Sequence, residues 1–207
     1  ILATGSQPVC PPLFSKINDR LLTSTSALEL EEIPERLLVV GGGYIGLEMG
    51  TVYSALGSRV TVVEMTGDLL PGVDRDLVRA LLPRLKSKFQ SIYLNTQVTS
   101  CELKENKVAA EFEGPGDIEP ANYDRVLVAV GRKPNSMDLG LESTRVRMDD
   151  KGFVKVDEGY QTAEPSIFAI GDVIGGTMLA HKASAEGKNV VKILSGEEPI
   201  LKAHCIP

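Results

Sequence analysis

In the first third of the chain, short continuous runs of apolar residues alternate with stretches in which apolar residues recur at helical spacing. The run Arg36–Val40 is apolar after its first residue, which is typical of a strand buried on both faces of a parallel sheet. Over 44–56 the apolar residues recur at helical spacing, and Gly57 supplies a C-terminal stop. Arg59–Val63 is strand-like again. The pattern therefore predicts a strand, a helix and a second strand. The apolar residues at helical spacing are Ile45, Met49, Val52, Tyr53 and Leu56.

The rest of the chain continues this alternation and adds an antiparallel element. The predicted elements are a helix over 74–88, a short strand over 92–94, a hairpin over 98–103 and 108–112, strands over 125–130, 153–156 and 167–170, and a helix over 180–194. This order predicts an α/β fold. We expect a Rossmann-like domain with a parallel sheet and a β-hairpin or β-meander insertion, plus part of a second α/β domain.

Composition and charge narrow the range of partners. The net charge of −6 and the absence of a basic stripe argue against nucleic acid, and no apolar run approaches the roughly 20 residues that span a bilayer. The three cysteines, Cys10, Cys101 and Cys205, form no CxxC or CxxxxC pair. This spacing argues against a metal site and against a disulfide framework. Reduced thiols suit a cytoplasmic protein.

A glycine-rich turn follows the first buried strand. Gly41-Gly42-Gly43-Tyr44-Ile45-Gly46 fits the pattern G-x-G-x-x-G and opens the first helix. Gly41 allows the tight turn, Gly43 lets a pyrophosphate approach the backbone, and Gly46 lets the helix lie close to the strand. Free backbone N–H groups and the positive end of the helix dipole would then face the phosphates. The alternative is a glycine turn in a doubly wound sheet that binds no cofactor.

An acid ends the second strand. Glu64 lies 18 residues after Gly46, where a carboxylate accepts hydrogen bonds from an adenosine ribose. A carboxylate there repels a 2′-phosphate, and Met65-Thr66-Gly67 supplies no Arg or Lys to bind one. Strand, turn, helix and acid together predict a site for NAD rather than NADP.

Three further motifs surround this unit and resemble those of flavoprotein disulfide reductases. Ala3-Thr4-Gly5 looks like the turn that returns the chain from the FAD domain of that family. The sequence VAVGRKPN over 128–135, with Gly131, looks like the glycine motif that closes the NAD domain. The sequence IFAIGDV over 167–173 looks like the motif whose acid, here Asp172, hydrogen-bonds the FAD ribitol.

Two stretches point within that superfamily to dihydrolipoamide dehydrogenases. The sequences MLAHKA over 178–183, which contains Ala180, and GYIGLEMG over 43–50 are similar to theirs. The resemblance implies a homodimeric enzyme with FAD and NAD as cofactors. It implies as substrate the dihydrolipoamide carried by acyltransferase subunits of 2-oxo acid dehydrogenase complexes. Electrons would pass from the dithiol to a disulfide, to FAD and then to NAD. Ala3, Thr4, Gly5, Asp172 and Ala180 would belong to the FAD site.

The resemblance also implies an incomplete enzyme. The chain begins at Ile1 without an initiating Met or a signal-peptide pattern, and we expect a piece of a longer polypeptide. We expect the end of an FAD-domain segment and a linker over 1–32, an NAD-binding domain over 33–135, and a C-terminal part of the FAD-binding domain over 136–207. That last part would run into a dimer-interface domain. Because these residues contain no CxxxxC pair, we expect no dihydrolipoamide-dependent reduction of NAD by this piece alone.

Four candidate residues each have two interpretations. Glu48 is either an ordinary surface acid near the helix N-terminus or, by resemblance, the partner of a lysine close to flavin and nicotinamide. Tyr44 either packs or covers the nicotinamide site. Asp172 is either a helix cap or a flavin contact. Val98 is either a plain core residue or an apolar wall under the adenine.

Two alternatives to the dihydrolipoamide dehydrogenase interpretation stay open at this point. The chain could be the NAD-binding portion of another flavin disulfide reductase, similar to glutathione or mercuric reductases. It could also act, as isolated, as a non-catalytic NAD-binding module. Both alternatives keep the nucleotide site at Gly41–Gly46 and Glu64 and change only the chemistry that the site serves.

Overall fold

The computed structural model describes residues 1–29, 31–116 and 118–199. These residues form two compact units. We call Pro8–Gly131 the central unit, and Ile1–Gln7 together with the described residues from Arg132 onward the split unit.

The described residues form ten strands, three α-helices and four 3₁₀ segments. The strands are β1 (Ser6–Pro8), β2 (Leu21–Leu22), β3 (Arg36–Val40), β4 (Arg59–Val63), β5 (Ser91–Tyr93), β6 (Gln97–Lys104), β7 (Lys107–Glu113), β8 (Ala121–Tyr123), β9 (Arg125–Val128) and β10 (Arg132–Pro134). The helices are α1 (Tyr44–Ala55), α2 (Arg75–Lys88) and α3 (Ala180–Leu194), and the 3₁₀ segments are Pro12–Arg20, Ser26–Leu28, Leu141–Ser143 and Gly171–Ile174.

A five-stranded parallel sheet forms the centre of the central unit. Its order is β2-β9-β3-β4-β5, so β3 lies in the middle with Leu38 opposite Thr61 of β4 and Val126 of β9. Leu37, Leu38 and Val39 are fully buried, which explains why the sequence of β3 is a continuous apolar run. The prediction of an α/β fold with a parallel sheet is confirmed.

Helix α1 lies on this sheet through a face that the spacing of its large apolar residues does not reveal. Its buried residues are Gly46, Leu47, Gly50 and Tyr53, whereas Val52 and Leu56 are 40% and 49% exposed. A Cβ on Gly50 would lie 3.1 Å from the Phe89 ring. The two glycines bring the helix backbone close to its neighbours, and this contact rotates Val52 and Leu56 toward solvent. The helical spacing of Val52 and Leu56 in the sequence therefore does not correspond to burial.

The predicted hairpin is confirmed and is part of a larger meander. Strands β6, β7 and β8 form a three-stranded antiparallel sheet. Glu105 and Asn106 turn the chain between β6 and β7 with φ of +47° and +64°, as a tight hairpin turn requires. The buried side of the meander packs against β3 and β9 through Cys101, Val108 and Tyr123. Strand β8 was not predicted, because three residues are too few to show an alternating pattern.

The split unit is rich in turns. Strands β1 and β10 pair with each other, and helix α3 has the predicted bounds. The strands predicted over 153–156 and 167–170 are wrong, because Val154, Phe168 and Ala169 form only isolated bridges. The Asp149 side chain accepts hydrogen bonds from the backbone of Lys151 and Phe153, so local turns use the groups that a longer ladder would need.

A membrane span is absent from the part of the chain that the structure describes. None of its helices has both the length and the apolar character needed to cross a bilayer.

The two described cysteines differ in their surroundings, and we expect them to differ in reactivity. Burial raises the pKa of the Cys101 thiol to about 11, whereas Cys10 is exposed. Because the thiolate is the nucleophile, alkylation by iodoacetamide at pH 8 should modify Cys10 quickly and leave Cys101 unmodified until the protein is denatured. Peptide mass spectrometry before and after denaturation measures both sites, and equal rates in the native protein would contradict the burial of Cys101. Cys205 lies outside the described residues.

Candidate functional site

The glycine turn joins β3 to α1 and is built so that two positions tolerate only glycine. Gly41 has a φ of +110°, which residues with a Cβ rarely adopt, and a Cβ there would overlap the Ala129 carbonyl group. A Cβ on Gly46 would overlap the carbonyl oxygen of Gly41 and lie 3.1 Å from Val39 Cγ1. These contacts hold the first turn of α1 directly against the end of β3.

Gly43, which lies between these two glycines, faces open space instead. A Cβ on Gly43 would meet no atom within 4 Å. Gly43 is also the N-cap of α1, and no side chain caps this end of the helix. The N-terminal N–H groups of a helix need partners and carry its positive dipole end. An anion such as a pyrophosphate fits this position, because it would supply the missing acceptors.

Glu64 is tied to the same turn. Its side chain lies at the end of β4 in a residue that is only 7% exposed. Glu64 Oε2 accepts a hydrogen bond from the Gly42 backbone N–H at 2.7 Å. Glu64 Oε1 accepts two more, from the backbone N–H and the hydroxyl of Thr66, both at 2.8 Å. Since a Cβ on Gly42 would lie 3.1 Å from Glu64 Cβ and 2.6 Å from Leu69 Cδ2, glycine at this position keeps the acid in place.

The loop after β4 forms an open depression whose lining includes Thr66, a hydrogen-bond partner of Glu64. It has a volume of about 460 Å³ and is lined by Thr66, Gly67, Asp68 and residues 71–75. Arg75 holds this loop, because its guanidinium donates to the carbonyl oxygens of Leu69, Leu70 and Val73. Arg75 is therefore committed to backbone carbonyls, and an ion pair of 3.6 Å with Asp68 adds to this role.

The other predicted residues of the dinucleotide site have varied settings. Tyr44 and Glu48 are exposed on α1, and Ile45 is partly buried. Val98 packs on the buried side of the meander, next to a register shift between β6 and β7. Gly131 has a φ of +137°. The structure therefore brings Glu64 into direct contact with the glycine turn and places Val98 in a core, where an ordinary packing role explains it equally well.

In the split unit, four of the five predicted FAD residues line one cavity. Ala3, Gly5, Asp172 and Ala180 surround a space of about 270 Å³. Thr4 instead holds the turn from outside, since its hydroxyl donates to the Asn135 carbonyl oxygen at 2.6 Å. The rest of the lining is small or apolar, with Ile170, Gly171, Met178 and Ala183, so that Asp172 brings the one carboxylate among these residues. This lining fits part of a flexible polyhydroxyl chain such as a ribitol.

Asp172 has partners that the sequence motifs did not indicate. Asp172 Oδ2 accepts a hydrogen bond from the Ser6 hydroxyl at 2.5 Å, and Arg132 Nε donates to the same hydroxyl at 2.7 Å. Arg132 Nε lies 3.9 Å from Asp172 Oδ2. The pairing of β1 with β10 places Ser6 beside Arg132, which only the fold could show.

A second hidden feature is the buried pair Lys182–Glu186. Lys182 Nζ lies 2.8 Å from Glu186 Oε1, and both side chains are nearly buried. Glu186 Oε2 also accepts a hydrogen bond from the Gly171 backbone N–H at 2.7 Å. At a helix start a lysine side chain is ordinarily solvated, but that of Lys182 is only 13% exposed. Its spacing of four residues from Glu186 on one helix is the signal that could have revealed the pair.

A metal centre is not apparent among residues 1–29, 31–116 and 118–199. No group of three or more His, Cys, Asp or Glu side chains in these ranges is arranged to hold a metal ion.

Comparison with known sequences matches most of the chain to one family of oxidoreductases. Residues 1–187 match the family model described as pyridine nucleotide-disulphide oxidoreductase. The chain is 44% identical over 208 residues to a dihydrolipoyl dehydrogenase of Vibrio parahaemolyticus, and 41% identical over 207 residues to one of Geobacillus stearothermophilus. Each alignment covers 100% of this chain and 44% of the relative. The chain therefore spans less than half the length of these relatives.

Solved structures agree with this result. The HOCl-induced flavoprotein disulfide reductase RclA from Escherichia coli superposes with a TM-score of 0.86 at 31% identity, over 95% of this chain and 45% of that one. LpdA from Mycobacterium tuberculosis superposes with a TM-score of 0.85 at 28% identity, over 96% of this chain and 43% of that one. The similarity covers both units of the fold.

Proposed function

The chain belongs to the pyridine nucleotide-disulphide oxidoreductase family, and from this premise we propose that it is the NAD-binding portion, with part of the FAD site, of a dihydrolipoyl dehydrogenase. Identities of 40–44% to enzymes of that name along nearly the whole chain favour this substrate class over other disulfides. The observation that carries the nucleotide assignment is the contact of the buried Glu64 with the glycine turn.

The proposed dinucleotide site uses each part of the turn differently. Gly41, Gly42 and Gly46 shape the turn, and the backbone at Gly43, Tyr44 and Ile45 faces the pyrophosphate. Glu64 accepts the adenosine ribose hydroxyls. We assign Val98 to the adenine side, Tyr44 and Glu48 to the nicotinamide side, and Gly131 to the end of the NAD-binding domain, with domain limits at 1–32, 33–135 and 136–207.

The proposed FAD residues are Ala3, Thr4, Gly5, Asp172 and Ala180. Asp172 would orient the ribitol. The Asp172 carboxylate is itself held by the Ser6 hydroxyl, to which Arg132 donates a hydrogen bond. FAD, when bound, supplies the electron transfer between the thiol chemistry and NAD. What this chain itself contributes is the binding and orientation of the two cofactors.

The proposed setting of the whole enzyme follows from its relatives. Enzymes named dihydrolipoyl dehydrogenase imply as substrate a dihydrolipoamide carried by the acyltransferase subunits of 2-oxo acid dehydrogenase complexes. We propose the same substrate here, together with a homodimeric, cytoplasmic enzyme.

The choice of NAD over NADP is supported by the loop after β4. Residues 65–74 contain no Arg or Lys, and Arg75 is held by backbone carbonyls. A 2′-phosphate would therefore meet the Glu64 carboxylate without a free cation from this loop to offset the repulsion.

Titration of the chain with NADH and NADPH tests this proposal. We expect clearly tighter binding of NADH, and we expect Glu64→Ala to raise the Kd for NADH by about 5- to 150-fold, which corresponds to the roughly 1–3 kcal/mol of hydrogen bonds to a charged group. Isothermal calorimetry measures both.

The matched control is Glu102→Ala, which removes an exposed acid whose ion pair is with Lys104 and should leave both Kd values unchanged. Glu64→Gln, which keeps the acceptor at one oxygen, guards against a fold defect in the alanine variant. Equal affinity of the wild-type chain for NADH and NADPH would refute the assignment of Glu64.

A further inference from the structure

The Thr66 hydroxyl donates a hydrogen bond to Glu64, the acid that we assign to the adenosine ribose. We propose that this hydroxyl is a placeholder for a ribose hydroxyl: it binds Glu64 Oε1 in the free protein and turns to the Asp68 carbonyl oxygen when NADH binds. This inference rests on the proposed function, because it concerns how the adenosine ribose reaches Glu64.

The argument begins with the capacity of the carboxylate. An ionised carboxylate has about four acceptor sites on its two oxygens. Three are taken: Gly42 N–H at 2.7 Å on Oε2, and Thr66 N–H and the Thr66 hydroxyl, both at 2.8 Å, on Oε1. An adenosine ribose offers two neighbouring hydroxyls. One can use the remaining site on Oε2, but the second needs a site that is already filled.

Only one of the three donors has a second acceptor at hand. Thr66 Oγ1 lies 3.0 Å from the Asp68 carbonyl oxygen, so a rotation of its single proton moves the hydrogen bond there. The N–H of Gly42 is fixed within the glycine turn, and the N–H of Thr66 is fixed by the backbone. The hydroxyl is therefore the donor that can leave Glu64 without losing a partner.

The location of Thr66 agrees with this role. Thr66 is exposed and lines the depression of about 460 Å³ together with Asp68. Thr66 lines this depression and the buried Glu64 does not, so Thr66 is the more accessible of the two residues. In the free protein the same hydroxyl keeps the carboxylate satisfied, which matters because a buried charge with too few hydrogen bonds is costly.

Removal of the placeholder should strengthen binding. In Thr66→Val the free carboxylate lacks one donor, so a ribose hydroxyl gains a vacant site rather than displacing an occupant. The bond that valine cannot make in the bound state, to the Asp68 carbonyl, is exposed and water can replace it. We expect the Kd for NADH to fall by about threefold to tenfold, the range for one exchanged hydrogen bond.

The experiment uses calorimetry to measure the Kd of two dinucleotides for the wild-type chain and for three variants of it. The dinucleotides are NADH and the NADH analogue whose adenosine ribose lacks the 2′-hydroxyl. The variants are Thr66→Val, Thr66→Ser and, as a control, Thr51→Val, which loses a hydroxyl that donates to the Leu47 carbonyl oxygen within α1. The single hydroxyl of the analogue fits the free site on Oε2, so Thr66→Val should not improve its binding.

The pattern of results decides the inference. Tighter NADH binding by Thr66→Val alone, wild-type affinity restored in Thr66→Ser, and no gain with the analogue would support the placeholder. An unchanged or weaker affinity of Thr66→Val for NADH, or the same gain with both dinucleotides, would overturn it while leaving the proposed NAD site intact. A wild-type chain that binds neither NADH nor the analogue would remove the proposed function and this inference together.

Discussion

Gly46→Ala is expected to destabilise the central unit by about 2–4 kcal/mol, at or beyond the upper end of the overpacking range. Alanine is the better helix former by about 1 kcal/mol, so propensity alone would favour the variant. The added methyl group, however, would overlap the Gly41 carbonyl oxygen. A backbone atom in a strained turn cannot rotate away, so the steric cost exceeds the gain in propensity.

Gly43→Ala is the matched control for this prediction. It adds the same methyl group three residues earlier, where a Cβ meets nothing within 4 Å and the backbone is extended, with φ −77° and ψ 179°. We expect a stability loss under about 1 kcal/mol, the cost of alanine at an N-cap, together with weaker NADH binding. Four of the five tyrosines lie in Pro8–Gly131, so tyrosine fluorescence during urea unfolding follows the central unit. Equal stability losses in both variants would show that the helix does not approach Gly41 as described.

The strand–turn–helix–strand core was predictable because its signals are local and agree with one another. The apolar run of β3, the glycines that follow it and the acid that ends β4 each have a pattern that elementary chemistry explains. The burial of α1 was predictable only in part. Glycine has no side chain to contribute to a pattern of apolar residues, and so the face that the glycines create does not appear in the spacing of Val52 and Leu56.

The details of both candidate sites depend on contacts between distant segments. The type of residue at Glu64 was predictable from its place after β4, but its bond to the Gly42 N–H depends on how the turn folds back. The link from Ser6 to Asp172 spans 166 positions and depends on how the split unit brings these two segments together. Apolar segments such as 153–156 look like strands in the sequence, but a strand needs a partner along its length, which the sequence does not show.

Glu186→Ala is expected to destabilise the turn that carries Asp172 by about 3–5 kcal/mol, the cost of breaking a buried ion pair from one side. Two groups lose Glu186 as a partner at once: the ammonium of Lys182, at 2.8 Å, and the Gly171 N–H, at 2.7 Å. The acceptor that Lys182 keeps, the Gly171 carbonyl oxygen at 3.4 Å, is neutral. Lys182 lies in the first turn of α3, and Gly171 lines the cavity proposed for the flavin. Hydrogen exchange measured by mass spectrometry should show a loss of protection in peptides that cover Gly171–Ile174 and Ala180–Leu194.

Two further variants separate the buried charge from simple loss of a side chain. Asp76→Ala removes an acid from the exposed pair with Arg79 on α2 and should leave the exchange of its own helix unchanged, because exposed pairs contribute little. Lys182→Met combined with Glu186→Leu removes both charges and should restore part of the protection that Glu186→Ala loses, since an apolar pair leaves no unpaired ion. The Gly171 N–H still lacks its acceptor in this double variant, so the recovery should be incomplete. A double variant no better protected than Glu186→Ala would mean that the hydrogen bond to Gly171, and not the ion pair, holds the turn.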